Sequence, residues 1–233
     1  MISIQNLSKH YHGICVLDIP DLRIEEGETV GIVGNNGAGK TTLFRCMLDL
    51  IRPTTGQVFS KGVAVHSSDQ WKSYTGSFLD ESFLLDYLSA EEFFSFTGSL
   101  YGQSESGMKE FYSRMSGIFN DEIAGKNKYI RDFSKGNQKK VGIAAALVGQ
   151  PEVLILDEPF TNLDPTSQIR LKQMLHQINQ ERGTTMLISS HDLNHVTETC
   201  GRIVVIHKGR VVYDLQTNED TLSELERFFS AQV

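Results

Sequence analysis

The 233-residue sequence is poor in cysteine and in positive charge, and each shortage closes off a class of protein. Its three cysteines, Cys15, Cys46 and Cys200, are an odd number with no short-range pair. That excludes a disulfide framework and is expected of reduced, semi-buried thiols. Lysine and arginine number 22 against 29 aspartates and glutamates, a net charge of −7. The cation surplus that a phosphate-backbone binder needs is missing, so no nucleic-acid partner is expected. No apolar run approaches the roughly 18 residues of a membrane span, and Val153-Leu154-Ile155-Leu156 runs straight into charge. The start, Met1-Ile2-Ser3-Ile4-Gln5, alternates like a strand and has neither the basic opening nor the apolar stretch of a signal peptide, so a cytoplasmic location is expected. Internal repeats and low-complexity tracts are also missing. With 39% hydrophobic residues, what remains is an ordinary globular chain, long enough for one domain with an attached lobe.

What is present follows an α/β pattern. Residues 1–30 alternate (Ile2, Ile4, Val16, Leu17, Ile19, Leu22, Ile24) and carry turn signals at Gly13, Pro20 and Glu26-Gly27, which predicts short antiparallel strands. Near the other end, 203–206 and 211–213 flank His207-Lys208-Gly209-Arg210 as a hairpin. Between them, the compact runs 29–33, 153–156 and 184–189 read as buried parallel strands. Residues 165–182 place Leu171, Leu175 and Ile178 on one helical face, with Pro165 in the first turn. Residues 81–146 differ: they lack proline, are rich in aromatics such as Phe83, Phe94, Phe111 and Phe119, and have helical periodicity. They are expected to form a helical lobe inserted between 1–80 and 147–233, which would make the α/β core.

Gly34-Asn35-Asn36-Gly37-Ala38-Gly39-Lys40-Thr41-Thr42 stands between the strand 29–33 and the helical run 43–50, the order that a phosphate-binding loop requires. Its glycines let successive N–H groups turn inward on a phosphate, and the following helix adds the positive end of its dipole. Lys40 then reaches the β and γ oxygens, and the Thr41 hydroxyl is a ligand for Mg²⁺. Strand 153–156 ends in Asp157-Glu158-Pro159, two carboxylates at the edge where open α/β sheets bind ligands. Because side chains alternate along a strand, the two are expected to face opposite ways and divide the labour: one holds the metal, the other polarises the attacking water.

In this order the motifs resemble the ATP-binding subunit of ABC transporters over essentially the whole chain. The resemblance implies a P-loop NTPase with a RecA-like core: a central, mainly parallel sheet, an antiparallel β subdomain and a helical lobe carrying the signature motif. Residues 34–42 look like Walker A and 154–159 like Walker B, with Asp157 on Mg²⁺ and Glu158 as the catalytic glutamate. Asn162-Leu163-Asp164 resembles the D-loop, His191 the switch histidine, and Tyr11 the aromatic that stacks on the base. The signature is altered to Phe133-Ser134-Lys135-Gly136-Asn137, in which Ser134 and Gly136 survive; the Ser-Lys-Gly form is similar to one found in subunits of ABC-2-type partners, many of them exporters. Lys135, Lys139 and Lys140 read as a basic, at least partly solvated helix face. The loop that carries a glutamine in the family has none here, and Asp80, or alternatively Glu81, stands in its place as a further metal ligand.

The implied cofactors are ATP and Mg²⁺, and the implied partners are a separate transmembrane permease subunit and a second ATPase subunit, identical or not. The chain would sit at the inner face of the membrane through that permease. A soluble ATPase of the same family, acting on ribosomes or nucleic acid, is the alternative, opposed by the single motif set and the negative charge. A small-molecule kinase or GTPase would leave the ordered Ser134, Asp157-Glu158, Asp164 and His191 set without a purpose. His191, His195 and Cys200 have offsets that could suit zinc, but the glutamate of the metalloprotease order is missing.

Overall fold

The computed structural model describes residues 1–231, in two sheets and seven α-helices. In chain order the elements are β1 (Ile2–Tyr11), β2 (Ile14–Ile24), β3 (Thr29–Val33), α1 (Lys40–Met47), β4 (Thr55–Ser60), β5 (Val63–Ala64) and β6 (Thr75–Phe78). They continue with α2 (Ala90–Leu100), α3 (Glu105–Phe119), α4 (Lys135–Leu147), β7 (Val153–Leu156), α5 (Pro165–Arg182), β8 (Thr185–Ser190), α6 (Leu193–Thr199), β9 (Arg202–His207), β10 (Arg210–Gln216) and α7 (Thr221–Ser230). Five strands of the larger sheet run parallel, in the order β9-β3-β8-β7-β6, with β10 added antiparallel at one edge. The smaller sheet, β2-β1-β4-β5, is antiparallel throughout. Among the described residues no helix is long and apolar enough to cross a membrane.

The parallel sheet is covered on both faces, and the short apolar run in β7 shows how. Val153 and Ile155 enter the core shared with α1 and the antiparallel sheet, whereas Leu154 and Leu156 enter the core under α2 to α5. Alternation persists inside an unbroken hydrophobic segment because both faces of the strand are buried. The helix at 165–182 starts and stops where its ends dictate: Asp164 accepts the Ser167 N–H at 3.0 Å, Pro165 opens the first turn, and Gly183 takes a left-handed conformation just past the end.

Three expectations are corrected. Pro20 does not end a strand; it lies inside β2, a sheet edge where a missing N–H breaks no ladder. Residues 75–78, to which the sequence reading assigned no strand, form edge strand β6 alongside β7; Thr-Gly-Ser-Phe has a single large apolar side chain and gives no hydrophobic run. Cys15 is exposed, while Cys46 and Cys200 are buried and burial pushes their thiols up to about 11 and about 12.

Helices α2, α3 and α4 occupy the predicted helical segment and share one core with the parallel sheet. Phe94 is at its centre, stacked on Phe119 at 5.5 Å and edge-on to Phe111 at 5.2 Å. Truncating such a fully buried ring removes its transfer free energy and leaves a cavity. Phe94→Ala should therefore destabilise the chain by about 3–5 kcal/mol, read as a lowered midpoint in urea denaturation.

Candidate functional site

The parallel register assembles the site. Val33 pairs with Ser190 and Leu156 with Ile188, so the loops leaving β3, β7 and β8 begin side by side at the carboxyl edge of the sheet. The phosphate loop bridges β3 and α1. Gly39, at φ +111°, sits in a region that L side chains rarely adopt and delivers the chain into α1 at Lys40. The loop is braced from two sides: Ala38 N–H donates to the Asn35 carbonyl at 3.0 Å, and Gly209 N–H of the β9–β10 hairpin donates to the Ala38 carbonyl at 2.9 Å. The hairpin was legible as a turn, but its support of the phosphate loop was not.

Lys40 is buried, donates to the Gly34 carbonyl at 2.6 Å and lies 3.4 Å from Glu158 Oε1. Together with Tyr11, Val16, Asn36, Thr41 and Thr42 it lines a cleft of about 260 Å³. Tyr11 is exposed at the mouth, with the Lys9 ammonium 5.0 Å from its ring centre.

Asp157 and Glu158 depart from the predicted alternation. Strand β7 stops at Leu156, and Glu158 adopts a left-handed φ of 48°, so both carboxylates serve the phosphate loop. Asp157 accepts hydrogen bonds from the Thr41 hydroxyl at 2.5 Å and from Ser189 Oγ; Ser189 Oγ in turn accepts the Glu158 N–H at 2.9 Å. Burial holds the Asp157 carboxyl above the usual carboxylate range, against the opposing pull of these two hydroxyls. Glu158 Oε2 accepts the His191 Nδ1–H at 2.9 Å. The groups facing a cation here, the Thr41 hydroxyl and the Asp157 carboxylate, are all oxygen donors, which suits a hard ion such as Mg²⁺.

Other expected residues do not gather in this cleft. Ser134 is exposed and caps α4 by accepting the Asn137 N–H at 3.2 Å; Asp164 caps α5 and stands 3.7 Å from Lys140. Gly136 lies under its own chain: a Cβ there would come within 2.6 Å of the Asn162 carbonyl. Asp80 Oδ1 accepts from the Ser82 N–H and hydroxyl, its Oδ2 is 3.8 Å from Arg45, and among the described residues no hydrogen bond or ion pair joins it to Thr41 or Asp157. The basic face is solvated only in part: Lys135 is exposed, whereas Lys139 and Lys140 are buried. His191, His195 and Cys200 are directed apart, to Glu158, to Phe160 and Asp192, and into the core. Ser189, Lys139 and Thr161 are the site residues that sequence reasoning missed; Ser189 and Lys139 are joined to Asp157 or Glu158 only by the fold, and Thr161 through the local turn that follows Glu158.

The family model described as ABC transporter matches residues 17–161. The chain is 37% identical over 194 residues to the ABC transporter ATP-binding protein NatA of Bacillus subtilis, covering 82% of this chain and 78% of that one. It is 31% identical to the lantibiotic transport ATP-binding protein SrtF of Streptococcus pyogenes, covering 100% and 97%, and 33% identical to the bacitracin transport ATP-binding protein BcrA of Enterococcus faecalis, covering 94% and 70%. A dimeric ATP-binding cassette in a post-hydrolysis state with ADP and Pi superposes with a TM-score of 0.83 at 25% identity, covering 94% of this chain and 99% of that one.

Removing the Ser189 hydroxyl takes a donor from a buried carboxylate, at a cost of about 1–3 kcal/mol. Ser189→Ala should therefore raise the Mg²⁺ concentration that half-saturates ATP hydrolysis by roughly tenfold, measured by metal titration at fixed ATP.

Proposed function

The chain belongs to the ABC transporter family, and from that premise we propose how its residues divide the reaction and what it drives. It is an ATPase, the ATP-binding subunit that powers transport together with a separate membrane protein. The observation that carries the mechanism is that Lys40, Thr41 and Glu158 line one cleft, with Asp157 bonded to Thr41 and His191 to Glu158.

The unpaired N–H groups at the start of α1 face the triphosphate, and the base stacks on Tyr11. Lys40 exchanges its contact with Glu158 for the β and γ oxygens, which frees the glutamate at the moment substrate arrives. Thr41 and Asp157 hold Mg²⁺, which when bound neutralises charge on the phosphate oxygens. Glu158 orients the attacking water and accepts its proton, while His191 fixes the carboxylate that does so. Asp80 is engaged with Ser82 and Arg45, so the metal is left to Thr41 and Asp157.

Ser134, Gly136 and Asp164 do not line the cleft that holds Lys40 and Thr41. We assign them to the nucleotide of a second ATPase subunit, an arrangement supported by the dimeric cassettes of the same fold. The full-length likeness to a lantibiotic transport protein, together with the Ser-Lys-Gly signature, supports an exported peptide as cargo and an anchorage at the membrane through the permease.

Glu158→Gln should bind ATP with nearly unchanged affinity and lose at least about 100-fold in turnover, because the amide keeps the shape but cannot accept the proton. Wild-type hydrolysis by this variant would move the catalytic role elsewhere. Ser134→Arg should abolish hydrolysis while each monomer still binds a fluorescent ATP analogue. Mixed with Glu158→Gln, it should recover no more than about half of wild-type turnover, since a heterodimer keeps at most one intact composite site; lost monomeric binding would overturn the assignment to a second subunit.

A further inference from the structure

Lys139 is buried in the second turn of α4, and three oxygens from two distant segments surround its ammonium. It donates to the Glu158 carbonyl at 2.9 Å and to Thr161 Oγ1 at 2.6 Å, and Glu81 Oε1 lies 3.8 Å away. The Thr161 hydroxyl also donates to the Glu158 carbonyl, at 2.9 Å, so lysine and threonine together close the turn that follows the catalytic strand. That turn contains the left-handed Glu158, a conformation non-glycine residues adopt only when neighbours hold them there. On the opposite side, Glu81 Oε1 is buried and has no hydrogen-bond partner. An ammonium has three protons, and two are satisfied. Glu81 would have to approach by roughly 1 Å to enter the range of a charge-assisted hydrogen bond and satisfy the third.

We propose that Lys139 is a positioning residue: it fixes the peptide that carries Glu158 and links it to Glu81, so that displacement of the segment 80–83 changes the aim of the catalytic carboxylate. Glu81 is the inward-facing acid of that segment, and Asp80 is its solvent-facing neighbour. Its hydrogen bonds go to the Glu158 carbonyl and the Thr161 hydroxyl, so the action of Lys139 runs through the Glu158 peptide. The proposal rests on the reading of Glu158 as the residue that orients water.

Steady-state hydrolysis and equilibrium binding of a fluorescent ATP analogue, measured on the full chain, test it. Lys139→Met should lower kcat at least tenfold with the analogue's Kd within twofold, a split that general loosening of the fold would not produce. Thr161→Val and Glu81→Gln each remove one partner conservatively; each should lower kcat severalfold at constant Kd, and neither should lower it further when combined with Lys139→Met. Should Lys139→Met fail to fold, the Thr161 and Glu81 variants carry the test alone. Wild-type kcat in folded Lys139→Met, wild-type kcat in both partner variants, or a parallel loss of kcat and binding would overturn the proposal. Glu158→Gln is run beside them: if it turns over ATP at the wild-type rate, the underlying reading falls, whereas an inactive Glu158→Gln beside a fully active Lys139→Met removes the positioning role alone.

Discussion

Everything in the site depends on the pairing register of three parallel strands. β3 supplies the phosphate loop, β7 the carboxylates and β8 the serine that joins them, and none of these groups is near another in sequence. A slip of β8 by one residue would carry the Ser189 hydroxyl to the opposite face and leave both Asp157 and the Glu158 N–H without it. What forbids the slip is burial on both faces. Met186 and Ile188 belong to the core under the helices and Leu187 to the core under the antiparallel sheet, so any shift would exchange two packed interiors at once. The geometry of the cleft is therefore maintained by hydrophobic packing some distance below it.

The parts of this arrangement that could be read from sequence are those encoded locally. The phosphate loop, the acidic pair and the helix at 165–182 each carry their own signals, whether glycines before a lysine, carboxylates after an apolar run, or a cap, a proline and a glycine at the correct offsets. Strand β6 was hidden because one phenylalanine in four residues is no pattern, and its strand character comes from pairing with β7. Pro20 was misread because a proline signals a turn unless the strand lies at an edge, and edge position is a property of the whole sheet. The two carboxylates were expected to diverge because the alternation rule was carried one residue beyond the end of the strand; a single left-handed residue at Glu158 reverses the outcome.

The burial of two of the three lysines was not legible, and the reason is physical. Burying an ammonium carries a desolvation penalty, so a solvated face is the expectation from local rules. Lys139 and Lys140 are buried in adjacent positions, and each is compensated by groups from elsewhere: Lys139 by the Glu158 carbonyl, Thr161 and Glu81, Lys140 by Glu122 at 3.0 Å and Asp164 at 3.7 Å. Burial pulls the Lys139 ammonium below the usual lysine range, and the surrounding carboxylates resist that pull.

These compensations tie α4 to the rest of the molecule in a particular way. Gly136 allows the start of the helix to rest on the Asn162 carbonyl, Lys140 reaches Asp164 in the same loop, and Lys139 reaches the turn that begins at Glu158. The start of α4, the loop at 162–164 and the turn that begins at Glu158 are thus tied together within a single chain. In a motif reading, Gly136 and Asp164 are assigned to a second subunit's nucleotide, yet both also have partners at home. A substitution at either position therefore disturbs the chain that carries it, which sets Ser134, whose side chain among the described residues makes one hydrogen bond, the cap on an exposed turn, apart as the cleaner probe of the proposed dimer.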